Sequence, residues 1–357
     1  MRRLLPRTLL APLIRVADRA STAANERPTT LEETTRYPSF PWDLRTVIAL
    51  FPEPSPWRFL NLNVTLGLTG VPFDQHRRWA GSSPVNAFDL QFCLEAGATH
   101  TAYKNYHTVN TEVAYRPDAV YLDLPGRLHF EGRWPDYEIE YRQPEADLSI
   151  RLTLRSLSGF QWWAYSPRIY CHYTTFCRGS VRWNRGGDDE GTCDLTVLHD
   201  HGWGKNILPL RLPLKVFRYE VMGLPDGGFA IALWTEGPAG LELRNIGLIR
   251  PEGGPLAFMR AYSCQVLDWD TFENYEGQPC RVPRRWAGTL EGRAGRFVYE
   301  TERETEPRPV LGEGFLYASR YCGRFQGKGL DQLGLAGKEV AGRGYVEQIA
   351  RFAGRGN

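Results

Sequence analysis

The densest group of residues able to do chemistry is HDHGWGKN at 199–206. It closes a strand-like run that begins at Cys193-Asp194-Leu195. On an alternating strand, Leu195, Val197, His199 and His201 share one face, and Asp194, Thr196, Leu198 and Asp200 share the other. Two histidines two apart on the strand therefore project the same way, with Trp203 just past the strand end. Gly202 and Gly204 flank Trp203 and predict a tight or bulged path there. The structural alternative is a β-bulge corner whose Trp fills the core and whose Asp200 caps nearby amides. A bare His-x-His is a weak metal signal, because a catalytic metal site wants three protein ligands and an open position. No third ligand stands out, so no metal is expected.

Two further groups qualify. In QWWAYSPRIYCHYTTF at 161–176, Trp162, Trp163, Tyr165, Tyr170, His172, Tyr173 and Phe176 crowd together. Tyr170, His172 and Thr174 share a strand face. Such rings either fill a core or line an apolar cavity. Their polar tips need partners when buried, which favours a pocket. Trp163, Tyr165, Tyr170, His172 and His199 are therefore candidate substrate contacts. The third group is Trp234-Thr235-Glu236, at the end of the apolar run FAIAL, where Trp234 and Glu236 point the same way. A carboxyl beside an indole at the mouth of an apolar space has its pKa raised by desolvation and can donate a proton. The alternative is a solvated Glu in the turn before Gly237-Pro238. No nucleophile elbow surrounds Ser82-Ser83 or Ser166-Pro167, and neither GxGxxG nor a P-loop occurs, so serine-hydrolase and nucleotide-binding readings have no support.

The elements that must position these groups are strands. The 357-residue chain is 13% aromatic and carries 36 Gly and 25 Pro, a composition that suits pleated, half-buried surfaces and many turns. Lys and Arg number 43 against 41 Asp and Glu, a net charge of +2, which leaves no electrostatic footprint for nucleic acid. No run approaches the roughly 18 apolar residues of a membrane-spanning helix. Seven cysteines stand singly, without a CxxC pair. That favours a reducing, cytoplasmic setting over a disulfide framework or a zinc site.

Strand follows strand from residue 42. In LSIRLTL, Leu148, Ile150, Leu152 and Leu154 point one way and the polar residues between them the other. LPDGGF at 224–229 is the clearest hairpin. Some 14–18 strands are too many for one ordinary sheet. Two antiparallel β-barrels or sandwiches in tandem are expected, divided at the Pro-rich ILPLRLPLK of 207–215, so that the units span 42–206 and 207–357. Residues 1–41 form an amphipathic segment followed by a polar linker. Residues 1–20 are basic and Leu recurs through them, and Pro6, Arg7, Pro12 and Arg15 interrupt the apolar core that a signal peptide needs. A short helix packed on the body is expected, with peripheral membrane contact as the alternative.

The motifs, taken in order, resemble a known family. Asp200-His201-Gly202-Trp203-Gly204 looks like the D-H-x-W-G motif of the carotenoid hydratase and AttH-like proteins, which are related to lipocalins. Glu131-Gly132-Arg133-Trp134-Pro135-Asp136-Tyr137 resembles that family's E-G-x-x-P-x-Y segment. Tyr170-Cys171-His172-Tyr173 with Gly179-Ser180-Val181 resembles its Y-x-x-Y…G-x-V strand pair, and Gly342-Arg343-Gly344-Tyr345-Val346-Glu347 its terminal G-x-G-Y-x-E strand. The resemblance covers roughly residues 45–350. It implies two β-barrel-like units, the second lipocalin-like, with an apolar tunnel near their junction. In the hydratase branch, water adds across an isoprenoid double bond without a cofactor. The motif His and Trp fall on His201 and Trp203, and the downstream aromatic-x-acid pair falls on Trp234 and Glu236, where that branch has Tyr and Asp.

The expected activity is therefore cofactor-independent acid–base chemistry on a large apolar isoprenoid or polyene: hydration, cyclisation or isomerisation. A strong acid must protonate an alkene in a dry cavity, and ring faces must stabilise the cation. His201, Trp203, Glu236 and Asp200 are the candidate catalytic residues, and Trp234 joins the substrate contacts. The alternative is a lipocalin-like carrier of a fatty acid, polyene or other lipid that performs no reaction.

Overall fold

The computed structural model describes residues 42–67, 87–95, 102–109, 114–115, 120–157, 161–166, 170–187, 189–204, 216–236, 242–274, 277–310 and 314–350. The expected N-terminal segment and its membrane contact, and the Pro-rich break at 207–215, lie outside these residues. The all-β expectation holds. Among the described residues the regular structure is strand, with only short 3-10 helices at Pro144–Ala146 and Lys328–Leu333. No helix among them is long and apolar enough to cross a membrane.

The strands form two curled antiparallel sheets. The first contains β1 (Trp42–Leu50), β2 (Phe59–Gly67), β3 (Ala87–Glu95), β4 (Ala102–Val109), β5 (Ala114–Tyr115), β6 (Val120–Leu124), β7 (Leu128–Arg133), β8 (Asp136–Gln143), β9 (Leu148–Ser156), β10 (Gln161–Ser166), β11 (Tyr170–Arg185) and β12 (Glu190–Gly204). Its order is β4-β3-β2-β1-β12-β11-β9-β8-β7-β6-β5, with β10 also on β11. The second contains β13 (Val216–Gly223), β14 (Phe229–Glu236), β15 (Glu242–Arg250), β16 (Ala257–Met259), β17 (Ala261–Glu273), β18 (Pro279–Gly292), β19 (Gly295–Arg303), β20 (Arg308–Val310), β21 (Gly314–Gln326) and β22 (Glu339–Ala350). Its order is β16-β15-β14-β13-β22-β21-β19-β18-β17. In each sheet the first strand in sequence pairs with the last, β1 with β12 and β13 with β22.

Alternation builds the layers. In β9, Leu148, Ile150, Leu152 and Leu154 are buried and the intervening residues are exposed or half-buried. The predicted hairpin joins β13 to β14, closed by Leu224 N–H donating to Gly228 O and by Gly227 at φ +85°, a conformation that favours glycine. Three apolar layers result. Val47, Leu62, Phe92, Phe130, Ile139 and Val197 fill the first curl. Met222, Ala230, Ala232, Leu290 and Phe297 fill the second. Between the sheets lie Ile48, Phe59, Phe176 and Leu198 from one side, and Tyr219, Val221, Phe229, Ile231 and Tyr345 from the other.

One expectation is corrected. β12 keeps unbroken register with both β1 and β11 through Gly202, Trp203 and Gly204. Ladders on both sides hold this segment straight, so no bulge forms. Gly202 instead stands opposite His172, where an added Cβ would sit 3.6 Å from the imidazole. The bulge in this region falls on β10, between Trp162 and Ala164.

Candidate active site

The three layers decide which predicted residues meet. His199, His201 and Trp203 point into the first curl. Asp200, Trp163 and His172 face the layer between the sheets. Trp234 and Glu236 lie on the face of β14 that carries Ala230 and Ala232, turned to the second curl. Strand alternation therefore separates Glu236 from both His201 and Asp200, and the expected convergence of these acids around one hollow does not form. Tyr165 and Tyr170 lie on β10 and β11, with side chains outside the described set.

His201 is completely buried and both of its nitrogens are engaged. Nε2 lies 2.6 Å from Asp43 Oδ2 and Nδ1 lies 3.1 Å from the Tyr173 hydroxyl. Burial, helped by the nearby Arg45 cation, pushes its pKa down to about 4 against the opposing pull of Asp43. A neutral imidazole satisfies both contacts: Nε2–H donates to the carboxylate and Nδ1 accepts from the tyrosine. Arg45 Nε lies 3.4 Å from the other Asp43 oxygen. Trp203, Trp162 and Tyr173 close around the imidazole, with the His201 and Trp203 ring centres 4.6 Å apart. Both nitrogens of His201 are thus occupied by protein groups. The ring is a fixed post between Asp43 and Tyr173, with no nitrogen left for a reacting water. Asp43, Arg45 and Tyr173 were not anticipated as its partners.

Asp200, one residue earlier, faces the opposite way. It accepts from the Thr174 hydroxyl, which itself accepts from Trp163 Nε1–H, and from the Tyr219 hydroxyl of the second sheet at 3.2 Å. Burial pushes its pKa up to about 7, although the bonds from Thr174 and Tyr219 pull it down. Glu347 on β22 is the cross-strand neighbour of Tyr219. Its pKa is likewise pushed up to about 7, first by burial and further by the charge of Asp200, while the Tyr345 hydroxyl, 3.3 Å away, opposes the shift. Tyr345 in turn accepts from Asn61 Nδ2 of the first sheet at 3.1 Å. Two desolvated carboxyls, bracketed by Trp163, Tyr219 and Tyr345, therefore occupy the junction. Each is poised to hold or release a proton near neutrality.

Thr174 tests this network. Thr174→Val leaves the buried Trp163 N–H without an acceptor and is expected to cost roughly 1–3 kcal/mol. It also removes a bond that lowers the Asp200 pKa, so that pKa should rise further. Urea unfolding and NMR titration of the carboxyl check the two effects.

Among the described residues the junction is filled by apolar side chains, where a tunnel was expected. A cleft of about 820 Å³ opens at its margin, lined by Leu50, Phe51, Thr196, Leu224, Phe229 and Tyr321 among others. It holds none of the predicted site residues. Leu50 and Phe229 nevertheless belong to the same continuous apolar layer as Trp163 and Tyr219. Along β12, Thr196 at the cleft and Asp200 are four residues apart, about 13 Å of strand.

Comparison with known proteins follows the fold. Residues 65–353 match the model of a family of unknown function, DUF6670. Among solved structures, the chain is similar to a protein described as an AttH from Nitrosomonas europaea, at 14% identity and a TM-score of 0.62, covering 90% of this chain and 96% of that one. It is also similar to kievitone hydratase from Nectria haematococca, at 13% identity and a TM-score of 0.58, covering 90% and 92% respectively. The motif resemblance thus holds at the level of the fold. No curated protein matches.

Proposed function

The chain belongs to the DUF6670 family, a family of unknown function, and from that premise we propose that it is a cofactor-independent acid–base enzyme acting on an alkene of an apolar molecule. The reaction is hydration, or the cyclisation or isomerisation that shares its first step. One observation carries the reading: Asp200, buried, and Glu347, half-buried, lie between the sheets, and both have carboxyl pKa values raised to about 7. The fold shared with a hydratase agrees with it.

In this reading protonated Asp200 gives its proton to one alkene carbon, and the electron pair of the double bond forms the new C–H bond. The cation left on the neighbouring carbon is stabilised by the Trp163, Tyr219 and Tyr345 rings. A water molecule adds to it, and ionised Glu347 takes the proton that this water loses. Tyr219, bonded to Asp200 and beside Glu347, returns the proton between them. Substrate plus water gives a tertiary alcohol, and both carboxyls end as they began. Substrate from the cleft at the margin of the apolar layer reaches the acid pair only when the side chains packed between them, Leu50 and Phe229 among them, part. Without the water step, Glu347 takes a proton from a carbon next to the cation, directly for isomerisation or after attack by a second double bond for ring closure, and the C–H electron pair forms the new double bond. His201, Asp43 and Tyr173 hold β12 and β11 in register behind the acid.

The test is incubation of the protein with squalene, geranylgeraniol and a prenylated phenol in ¹⁸O-labelled water. An alcohol carrying one labelled oxygen supports hydration, and a rearranged or cyclised hydrocarbon without label supports the related reactions. Stoichiometric binding of these molecules with no product favours the carrier.

A further inference from the structure

We infer that the cleft at the margin of the junction binds an amphipathic carboxylic acid, whose carboxylate sits between Arg320 and Arg343 in the place that Glu53 fills. That this acid is the substrate rests on the reading above; that it binds does not. The cleft, of about 820 Å³, is lined by apolar Leu50, Phe51 and Phe229 and by Glu53, Arg320 and Arg343. Arg320 on β21 and Arg343 on β22 stand directly opposite each other in the ladder. Like charges so placed destabilise a strand pair, and an anion between them relieves the repulsion. Glu53, just beyond β1, supplies one: its Oε1 lies 3.1 Å from Arg320 Nη2 and 3.5 Å from Arg343 Nη2. Glu304 is shared more widely. It lies 3.2 Å from Arg320 Nε, 3.8 Å from Arg343 Nε and 2.7 Å from Arg58 Nε. Three guanidiniums thus share two carboxylates, which leaves one positive charge in surplus.

Arg343 is the fixed member of this group. It is 9% exposed, and its Nη1 donates to Trp57 O at 3.2 Å, while its Nε has no hydrogen-bond partner. Burial, first, and then the Arg58 cation lower its pKa, in keeping with cations that outnumber anions. Glu53 is the loose member. It is 59% exposed, and an ion pair at that exposure adds little stability. A ligand carboxylate can therefore displace it, with the surplus charge in the ligand's favour. Elsewhere on the lining Arg178 is matched by Glu252, and Asp194 is a further acid, so the surplus lies at Arg320 and Arg343. A hydroxyl head would leave that charge unanswered. A phosphate monoester would bring close to two negative charges where one is in surplus. An inorganic anion would leave the apolar wall in water.

The experiment measures binding of geranylgeranoic acid, geranylgeraniol and geranylgeranyl phosphate to the full chain by calorimetry at neutral pH. The acid should bind about tenfold more tightly than the alcohol, as one hydrogen bond to a charged group warrants. Added salt should shrink the difference. Glu53→Gln should tighten the acid several-fold and leave the alcohol unchanged, a gain that loss of a merely structural contact does not give. Arg320→Gln should bring acid and alcohol to the same affinity, and if that variant does not fold, Glu53→Gln decides alone. Equal binding of acid and alcohol by the parent, or a Glu53→Gln variant that binds the acid no better, overturns the site. A phosphate ester that binds more tightly than the acid overturns the carboxylic class. None of these readouts depends on turnover: binding as described, with no product from the acid, overturns the acid pair alone.

Discussion

Asp200→Asn lowers turnover by about 10²–10⁴-fold, the usual contribution of a positioned acid, while apolar ligands still bind. The amide keeps only one of the two oxygens that accept from Thr174 (Oδ1) and Tyr219 (Oδ2), presents an NH2 group to the other hydroxyl, and loses the proton that would pass to the alkene. In the unsubstituted protein the two carboxyls titrate as a pair around pH 7. Activity requires one of them protonated and the other ionised. The rate should therefore pass through a maximum near neutrality and fall on both sides, and Glu347→Gln should remove the acid-side limb. Product formation by the variants at several pH values checks this. A rate for Asp200→Asn within a few-fold of the parent would remove Asp200 from the chemistry.

Stability should fall as pH rises through the window between the unfolded and folded pKa values of these groups, from about 4 to about 7. Both carboxyls have raised pKa values in the folded protein, so the folded state binds more protons than the unfolded chain across that range, and proton linkage then penalises folding as pH increases. The stabilisation is complete below the unfolded pKa values and is lost above the folded ones. For Asp200 alone the change is on the order of 4 kcal/mol. Urea unfolding at pH 5 and pH 8 measures it. Asp200→Asn should flatten the dependence, and the double variant with Glu347→Gln should flatten it more. Parallel slopes in parent and variants would mean that neither group is held protonated by the fold.

Much of the architecture was legible in local pattern. Strand alternation placed His201 and Asp200 on opposite faces of β12, and LPDGGF announced its hairpin. The acid pair was only half visible. Asp200 lay inside a recognisable motif, and Glu347 lay in another, but what makes them acids is burial by the opposite sheet. Tyr219 reaches Asp200 from β13, and β22 brings Glu347 alongside. No local window contains that information. Glu236 misled for the same reason: an indole two residues away suggested a dry pocket, but the strand turns both to the second curl. Asp43 and Arg45 stand in an unremarkable Asp-Leu-Arg, and Asp43 acquires meaning only across the 158 residues that separate it from His201.

The pairing of first strand with last also has a bearing on synthesis. While the ribosome is still making the segment between them, β1 waits with one edge unpartnered and apolar side chains such as Val47 and Ile48 on both faces. Such non-local topologies fold slowly, and a waiting edge invites pairing with other chains. The nascent chain should therefore depend on a holding chaperone until Gly204 has emerged. Expression at low temperature, where synthesis and aggregation both slow, should raise the yield of native protein.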